Sequence, residues 1–114
     1  MAAKTDLTFD ELNTALGATV FTSSGSDITL SVSALTGDTY TALTDEGVIA
    51  MLYKLRAACS NAQGTANEAL ADGEKLDSFP GFSFSPPADG YVTVTQSQTV
   101  RILLDTATVI GTNV

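Results

Sequence analysis

The chain holds few side chains that could do chemistry, and most of them are carboxylates. Its 114 residues include 13 acidic and 5 basic side chains, one cysteine and no histidine or tryptophan. Without histidine the chain cannot form a Ser-His-Asp or Cys-His catalytic centre, or a histidine-ligated zinc or haem site. Its formal charge of -8 opposes binding to phosphate backbones and anionic membranes. The composition therefore predicts neither a nucleic-acid partner nor a membrane partner.

The single thiol, Cys59, falls on the apolar face of a predicted helix, between Leu55 and Ala62. A cysteine buried in apolar surroundings has a raised pKa and behaves as a small hydrophobic residue. We therefore expect Cys59 to pack in the core rather than to act as a nucleophile.

The clustered carboxylates are the remaining candidates for acid–base chemistry or metal binding. Asp72, Glu74 and Asp77 are close in sequence but lack the ligand order of an EF-hand loop. Two adjacent acidic pairs are better explained as favourable charges at helix N-termini, namely Asp10 with Glu11 and Asp45 with Glu46. We expect no catalytic residue, no metal site and no cofactor.

Capping signals and periodicity predict two helices. Thr8 and Glu11 form a capping-box pattern, which predicts a short helix within residues 8–17. Thr44 is positioned to cap a long helix over residues 44–71, whose apolar and small residues recur at steps of three and four. This apolar stripe includes Val48 and Leu52 and becomes rich in alanine after Cys59. Gly64 leaves open whether the long helix is continuous.

Alternation of apolar and hydroxyl residues predicts strands before and after the long helix. Residues 19–35 contain a short strand, a turn and a second strand with Ile28, Leu30, Val32 and Ala34 on one face. Residues 91–110 contain the C-terminal strands, after a turn at Asp89 and Gly90. We therefore predict a single α+β domain over residues 1–114. One long helix and a short N-terminal helix would pack on a small, mostly antiparallel β-sheet.

Residues 72–90 are predicted to be a connector rich in proline and phenylalanine. Prolines exclude a regular helix here and favour extended backbone. The phenylalanines either plug the edge of the chain's own core or form an arm that inserts into a neighbouring subunit. Tyr53 and Arg56 are further contact candidates, since tyrosine and arginine are favoured at interface hot spots. The main interface candidates are Phe79, Phe82, Phe84, Tyr91 and Arg101.

Three features together resemble small virion proteins of tailed bacteriophages and phage-like genes of bacteria, including cyanobacteria. They are the helix opening at residues 43–48, the Phe-Pro-Gly-Phe connector at residues 79–82 and the threonine-rich C-terminal strands. Head-decoration (cement) proteins and small neck or tail components are the candidates. The resemblance implies a non-enzymatic homo-oligomer that binds itself or the major structural protein of a particle. The alternative is a soluble acidic bacterial interaction module, such as an adaptor or inhibitor.

The N-terminal residues bear on where the protein is made. No basic segment followed by an apolar segment opens the chain, so no secretory signal is expected. We therefore expect synthesis in the host cytoplasm followed by incorporation into a virion.

Overall fold

The computed structural model describes residues 4–99, and in this part three helices and two β-hairpins follow one another. β1 pairs with β2 and β3 with β4, each pair antiparallel and forming its own two-stranded sheet. The predicted α+β class is confirmed, with long and short helices beside antiparallel strands. The elements are α1 Phe9–Leu16, β1 Phe21–Ser24, β2 Asp27–Leu30, α2 Val32–Thr36, α3 Val48–Asn67, β3 Ser83–Phe84 and β4 Val94–Thr95.

Helix α1 forms where the capping box predicts it. The backbone N–H of Glu11 donates to Thr8 Oγ1 at 3.1 Å, and the N–H of Thr8 donates to Glu11 Oε1 at 2.8 Å. Gly17 ends the helix with a φ of 67° and donates its N–H to the Asn13 carbonyl at 2.9 Å. Glycine adopts this left-handed conformation without a steric penalty. The predicted short helix is thus confirmed, including both of its caps.

Removing the α1 cap should destabilise the protein, and urea unfolding would measure the change. Thr8→Ala is expected to lower the free energy of unfolding by about 1 kcal/mol, because it removes the side-chain acceptor of the N-cap.

The hydrogen bond from the Thr8 N–H, with Lys4 nearby, lowers the pKa of Glu11 below its ordinary value of 4.5. Glu11 therefore stabilises the fold above that value, and this contribution is lost as the pH falls through the lower, folded-state pKa.

Glu11→Gln should accordingly flatten the acid side of the stability–pH curve, measured by thermal unfolding at a series of pH values. Asp77→Asn, at an exposed carboxylate outside the cap, is the control and should leave that slope unchanged. Equal acid slopes for Glu11→Gln and the unaltered chain would contradict the assigned role of Glu11.

The predicted second strand is half wrong, because its C-terminal part is helix α2. Ser31 caps this helix, and its Oγ accepts from the Ala34 N–H at 3.2 Å. Val32 and Ala34 are therefore helical and do not extend the strand face of Ile28. A serine cap satisfies a free helix N–H, which here outweighs the two-residue alternation. The helical turn buries Leu35.

Helix α3 begins four residues after its predicted start at Thr44. Asp45 does not act in the first turn of the helix. Its Oδ2 instead accepts from the N–H groups of Thr41 at 2.7 Å and Ala42 at 3.1 Å, and these bonds lower the pKa of Asp45. The carboxylate thus closes the preceding loop, so it is unavailable to the helix.

The N-cap position of α3 is taken by Gly47, against which the ring of Tyr40 lies. A Cβ at position 47 would be 2.5 Å from Tyr40 Cε1, so this close approach requires glycine. The helix continues without a break through Gly64 and ends at Asn67, before the predicted end at residue 71. The question of continuity that Gly64 raised is therefore answered.

A small core joins α1 to α3. Leu12 of α1 is buried with Ala58 and Ala62 of α3. Ala62 belongs to the alanine-rich stretch predicted after Cys59, whereas Ala58 lies outside the predicted stripe. Cys59 is half-buried beside them, and its burial raises the pKa of the thiol, in line with the expected packing role. The half-buried residues around this cluster are Leu7, Ala15, Leu16, Phe21, Leu55 and Cys59.

Candidate functional site

The connector is fastened to α3 by two amide side chains one helical turn apart. Gln63 Nε2 donates to the Phe79 carbonyl at 3.0 Å, and Gln63 Oε1 accepts from the Phe79 N–H at 2.9 Å. Asn67 makes the same pair of bonds with Leu76, at 2.7 and 2.9 Å. Residues four apart lie on one side of a helix. The two amides therefore hold a stretch of connector backbone against α3.

At the end of the segment predicted as a connector, the turn at Asp89 and Gly90 folds the chain back as a hairpin. Both turn residues have positive φ, 54° and 80°, as a type I′ hairpin turn requires. Ala88 and Tyr91 exchange backbone hydrogen bonds across the turn at 2.7 and 2.8 Å. The predicted turn is confirmed, and the dipeptide Asp-Gly was the signal for a hairpin that the strand prediction overlooked.

Two strand predictions are changed by this hairpin. The segment predicted as a connector over residues 72–90 contains strand β3, which pairs with β4. Of the C-terminal strands predicted over residues 91–110, the described part contains β4. The remainder, from residue 100 onward and including Arg101, lies outside the described residues.

An open groove of about 460 Å³ lies between the first half of α3 and the β3–β4 hairpin. We call it the α3–hairpin groove. Tyr53 and Phe82 form part of its wall, with ring centroids 5.3 Å apart, and Phe84 extends the aromatic row at 6.3 Å from Phe82. The apolar lining consists of Ile49, Leu52, Tyr53, Phe82, Val92 and Val94.

Arg56 provides the positive charge of the groove lining. Its Nη1 donates to Gln96 Oε1 at 3.3 Å, and Gln96 Nε2 donates in turn to the Pro80 carbonyl at 2.7 Å. Within residues 4–99, Arg56 has no carboxylate partner, whereas Lys4 and Lys75 are each ion-paired. The groove therefore combines apolar walls with an arginine that bonds to a neutral amide.

Much of the apolar surface in this region is exposed. Within residues 4–99, ten large apolar side chains are exposed, whereas six apolar residues are buried. Eight of these ten lie in the loop before α3, in the first half of α3 or in the hairpin. Ile49 is 87% exposed and Leu43 fully exposed. Exposed apolar side chains grouped around a groove, as Ile49, Leu52, Tyr53 and Val92 are here, are typical of a site of protein association.

The predicted interface residues divide into two groups. Phe79 and Phe82 are half-buried against their own chain, whereas Phe84 and Tyr91 are 59% and 80% exposed. Packing against the chain's own structure therefore holds for Phe79 and Phe82, whereas insertion of the phenylalanines into a neighbouring subunit stays a prediction. The first half packs on α3, while the hairpin carries aromatic rings to the surface.

The sequence prediction missed the exposed residues of α3 itself. Val48 and Leu52 were placed on the buried stripe, but both are exposed. Ile49 lies off that stripe, and a bulky residue there was the available signal for a second apolar face. Leu43, in the loop before the helix, carries the same signal. A helix with two apolar faces packs one of them against its own chain and leaves the other exposed to solvent.

The described part of the chain contains neither a candidate metal site nor a candidate membrane span. No group of three cysteine, aspartate or glutamate side chains between residues 4 and 99 could hold a metal ion. No helix in the same stretch is long and apolar enough to cross a bilayer. The chain matches no protein-family model, no curated protein sequence and no solved structure. The chemistry of the α3–hairpin groove is therefore the guide to function.

Proposed function

We propose that the chain is a non-enzymatic structural protein of a tailed-bacteriophage virion that binds neighbouring subunits and stabilises a capsid or tail assembly. The observation that carries the proposal is the α3–hairpin groove, where apolar and aromatic side chains are exposed next to a small core. Burial of such a surface against a neighbour is favourable in proportion to the apolar area removed from water. Aromatic residues and arginine are enriched at interfaces, and this groove contains both.

The net charge of -8 supports a second candidate, an acidic adaptor or inhibitor that docks on a basic partner. The two candidates differ in their response to salt. Contacts between exposed charges weaken as ionic strength rises, whereas apolar contacts persist. Binding that survives high salt favours the structural protein, and binding lost at moderate salt favours the acidic module.

The decisive experiment is the purification of virus particles from the strain that encodes the chain. We expect quantitative mass spectrometry of the banded particles to find the chain in many copies, retained after a high-salt wash. Leu52→Asp, in the groove, should reduce incorporation strongly, because it places a charge in a surface that must be desolvated. Ile28→Asp, on the β1–β2 hairpin outside the groove lining, is the matched control.

Two results would overturn the proposal. One is a chain that stays in the soluble fraction of the lysate while the particles contain none of it. The other is a purified chain that is a strict monomer by light scattering and does not bind purified particles.

A further inference from the structure

Resting on the proposed function, we infer that the α3–hairpin groove receives Leu43, with the loop around it, from a second copy of the chain. This assigns the groove a partner of defined chemistry. The loop spans residues 38–46, between α2 and α3. It carries an apolar side chain among carboxylates, and the groove has apolar walls and an arginine.

Leu43 has the properties of an inserting residue. Its side chain is fully exposed, yet its loop is held in place on both sides. Asp45 accepts two backbone hydrogen bonds from Thr41 and Ala42 before Leu43. The ring of Tyr40 lies against Gly47 after it. A side chain presented on a fixed loop loses little conformational freedom when it binds, and this preorganisation favours association.

The groove and the loop also match in charge. Glu46 lies three residues after Leu43 and is exposed. Arg56 lines the groove and donates to the neutral Gln96. Insertion of Leu43 from a second copy would bring the carboxylate of that copy's Glu46 toward the guanidinium of Arg56. Complementary charge of this kind fixes the register of an apolar contact.

The two contacting surfaces are different parts of the chain, so the contact is heterologous. Each copy offers its loop to one neighbour and its groove to another. Heterologous contacts repeat as closed rings or open filaments. Both arrangements suit a component that is present in many copies around a capsid or tail.

A complementation experiment tests this contact. Leu43→Asp removes the inserting residue and leaves the groove intact, whereas Ile49→Asp alters the groove and leaves the loop intact. Both positions are highly exposed, and position 49 lies in the first turn of α3, where aspartate is favoured. Both variants are therefore expected to fold.

By size-exclusion chromatography with light scattering, each variant alone should be monomeric at concentrations where the unaltered chain associates. An equimolar mixture should form a one-to-one heterodimer, since one variant supplies the groove and the other the loop. Ile28→Asp, outside both surfaces, should associate as the unaltered chain does. Arg56→Glu should weaken association about tenfold or more, and adding Glu46→Arg in the same chain should restore it.

Three outcomes overturn the inference: association that both single variants retain, a mixture that stays monomeric, or an unaltered chain that never associates. The particle experiment separates this failure from failure of the proposed function. A chain incorporated into particles without this contact leaves the proposed function intact and removes the inference. If the chain forms oligomers through this loop and groove but is absent from particles, the inference stands and the proposed function is removed.

Discussion

Leu12→Ala is expected to lower the free energy of unfolding by about 2–5 kcal/mol. Leu12 is buried between α1 and α3, and its neighbours across the contact are Ala58 and Ala62. Alanines are too short to fill the space that the leucine leaves. Since typical domains are stable by about 5–15 kcal/mol, and this core is small, we expect the variant to unfold at a much lower temperature.

Urea unfolding followed by circular dichroism would measure this change. Leu43→Ala, measured at concentrations where the chain is monomeric, is the matched control, because the same atoms are removed from a fully exposed side chain. Its stability should stay within about 0.5 kcal/mol of the unaltered chain. Equal unfolding midpoints for Leu12→Ala and Leu43→Ala would show that the contact between α1 and α3 does not limit stability.

The double variant Gln63→Ala and Asn67→Ala should release the connector from α3. It removes four part-buried hydrogen bonds to the backbone of Leu76 and Phe79. At about 0.5–1.5 kcal/mol for each bond, the expected loss is about 2–6 kcal/mol. The β3–β4 hairpin follows Phe79 along the chain, so the α3–hairpin groove should lose its second wall along with this stability.

Amide hydrogen exchange measures the hydrogen bonds of Asn67 and of Gln63 separately. Asn67→Ala should deprotect the N–H of Leu76, and Gln63→Ala that of Phe79, because each N–H donates to the amide that is removed. Asn61→Ala, at an exposed site on the same helix, should change neither. Protection of both N–H groups in the double variant would mean that other contacts hold the connector.

Local signals in the sequence predict the parts of this fold that depend on neighbouring residues. The capping box at Thr8 and Glu11 specifies α1, and the Asp-Gly pair at residues 89 and 90 specifies a turn, because each uses atoms within a few residues. The start of α3 is different. Asp45 could stabilise either the first turn of a helix or the preceding loop. In the structure it accepts from the backbone of the loop, where Tyr40 also lies against Gly47.

The candidate site was predictable only where its residues are aromatic or charged. Phe82, Tyr53 and Arg56 stand out by residue type, and the structure brings them to one groove. The periodicity places Leu52 in the core, because a helix that is apolar on two sides has a pattern that fits burial of either side. The α+β class was more secure, since it depends only on the presence of helices and antiparallel strands.

Gln63 and Asn67 could not be recognised in the same way. In sequence they are polar residues off the apolar stripe, the usual pattern of a solvated helix face. Their partners are backbone atoms of Leu76 and Phe79, and a backbone atom leaves no mark in residue identity. Hydrogen bonds from side chains to the backbone therefore cannot be predicted by matching one residue type with another.

The same hydrogen bonds have a consequence for redesign of the connector. Because the amides of α3 bind main-chain atoms, these hydrogen bonds do not depend on the exposed side chains of the connector, although the buried Leu76 and the half-buried Phe79 and Phe82 also contribute packing. Exposed positions such as Asp77, Gly81 and Ser83 can change while the backbone stays in place. A randomised library at these positions, on an otherwise constant scaffold, would be a direct route to variants with altered partner choice.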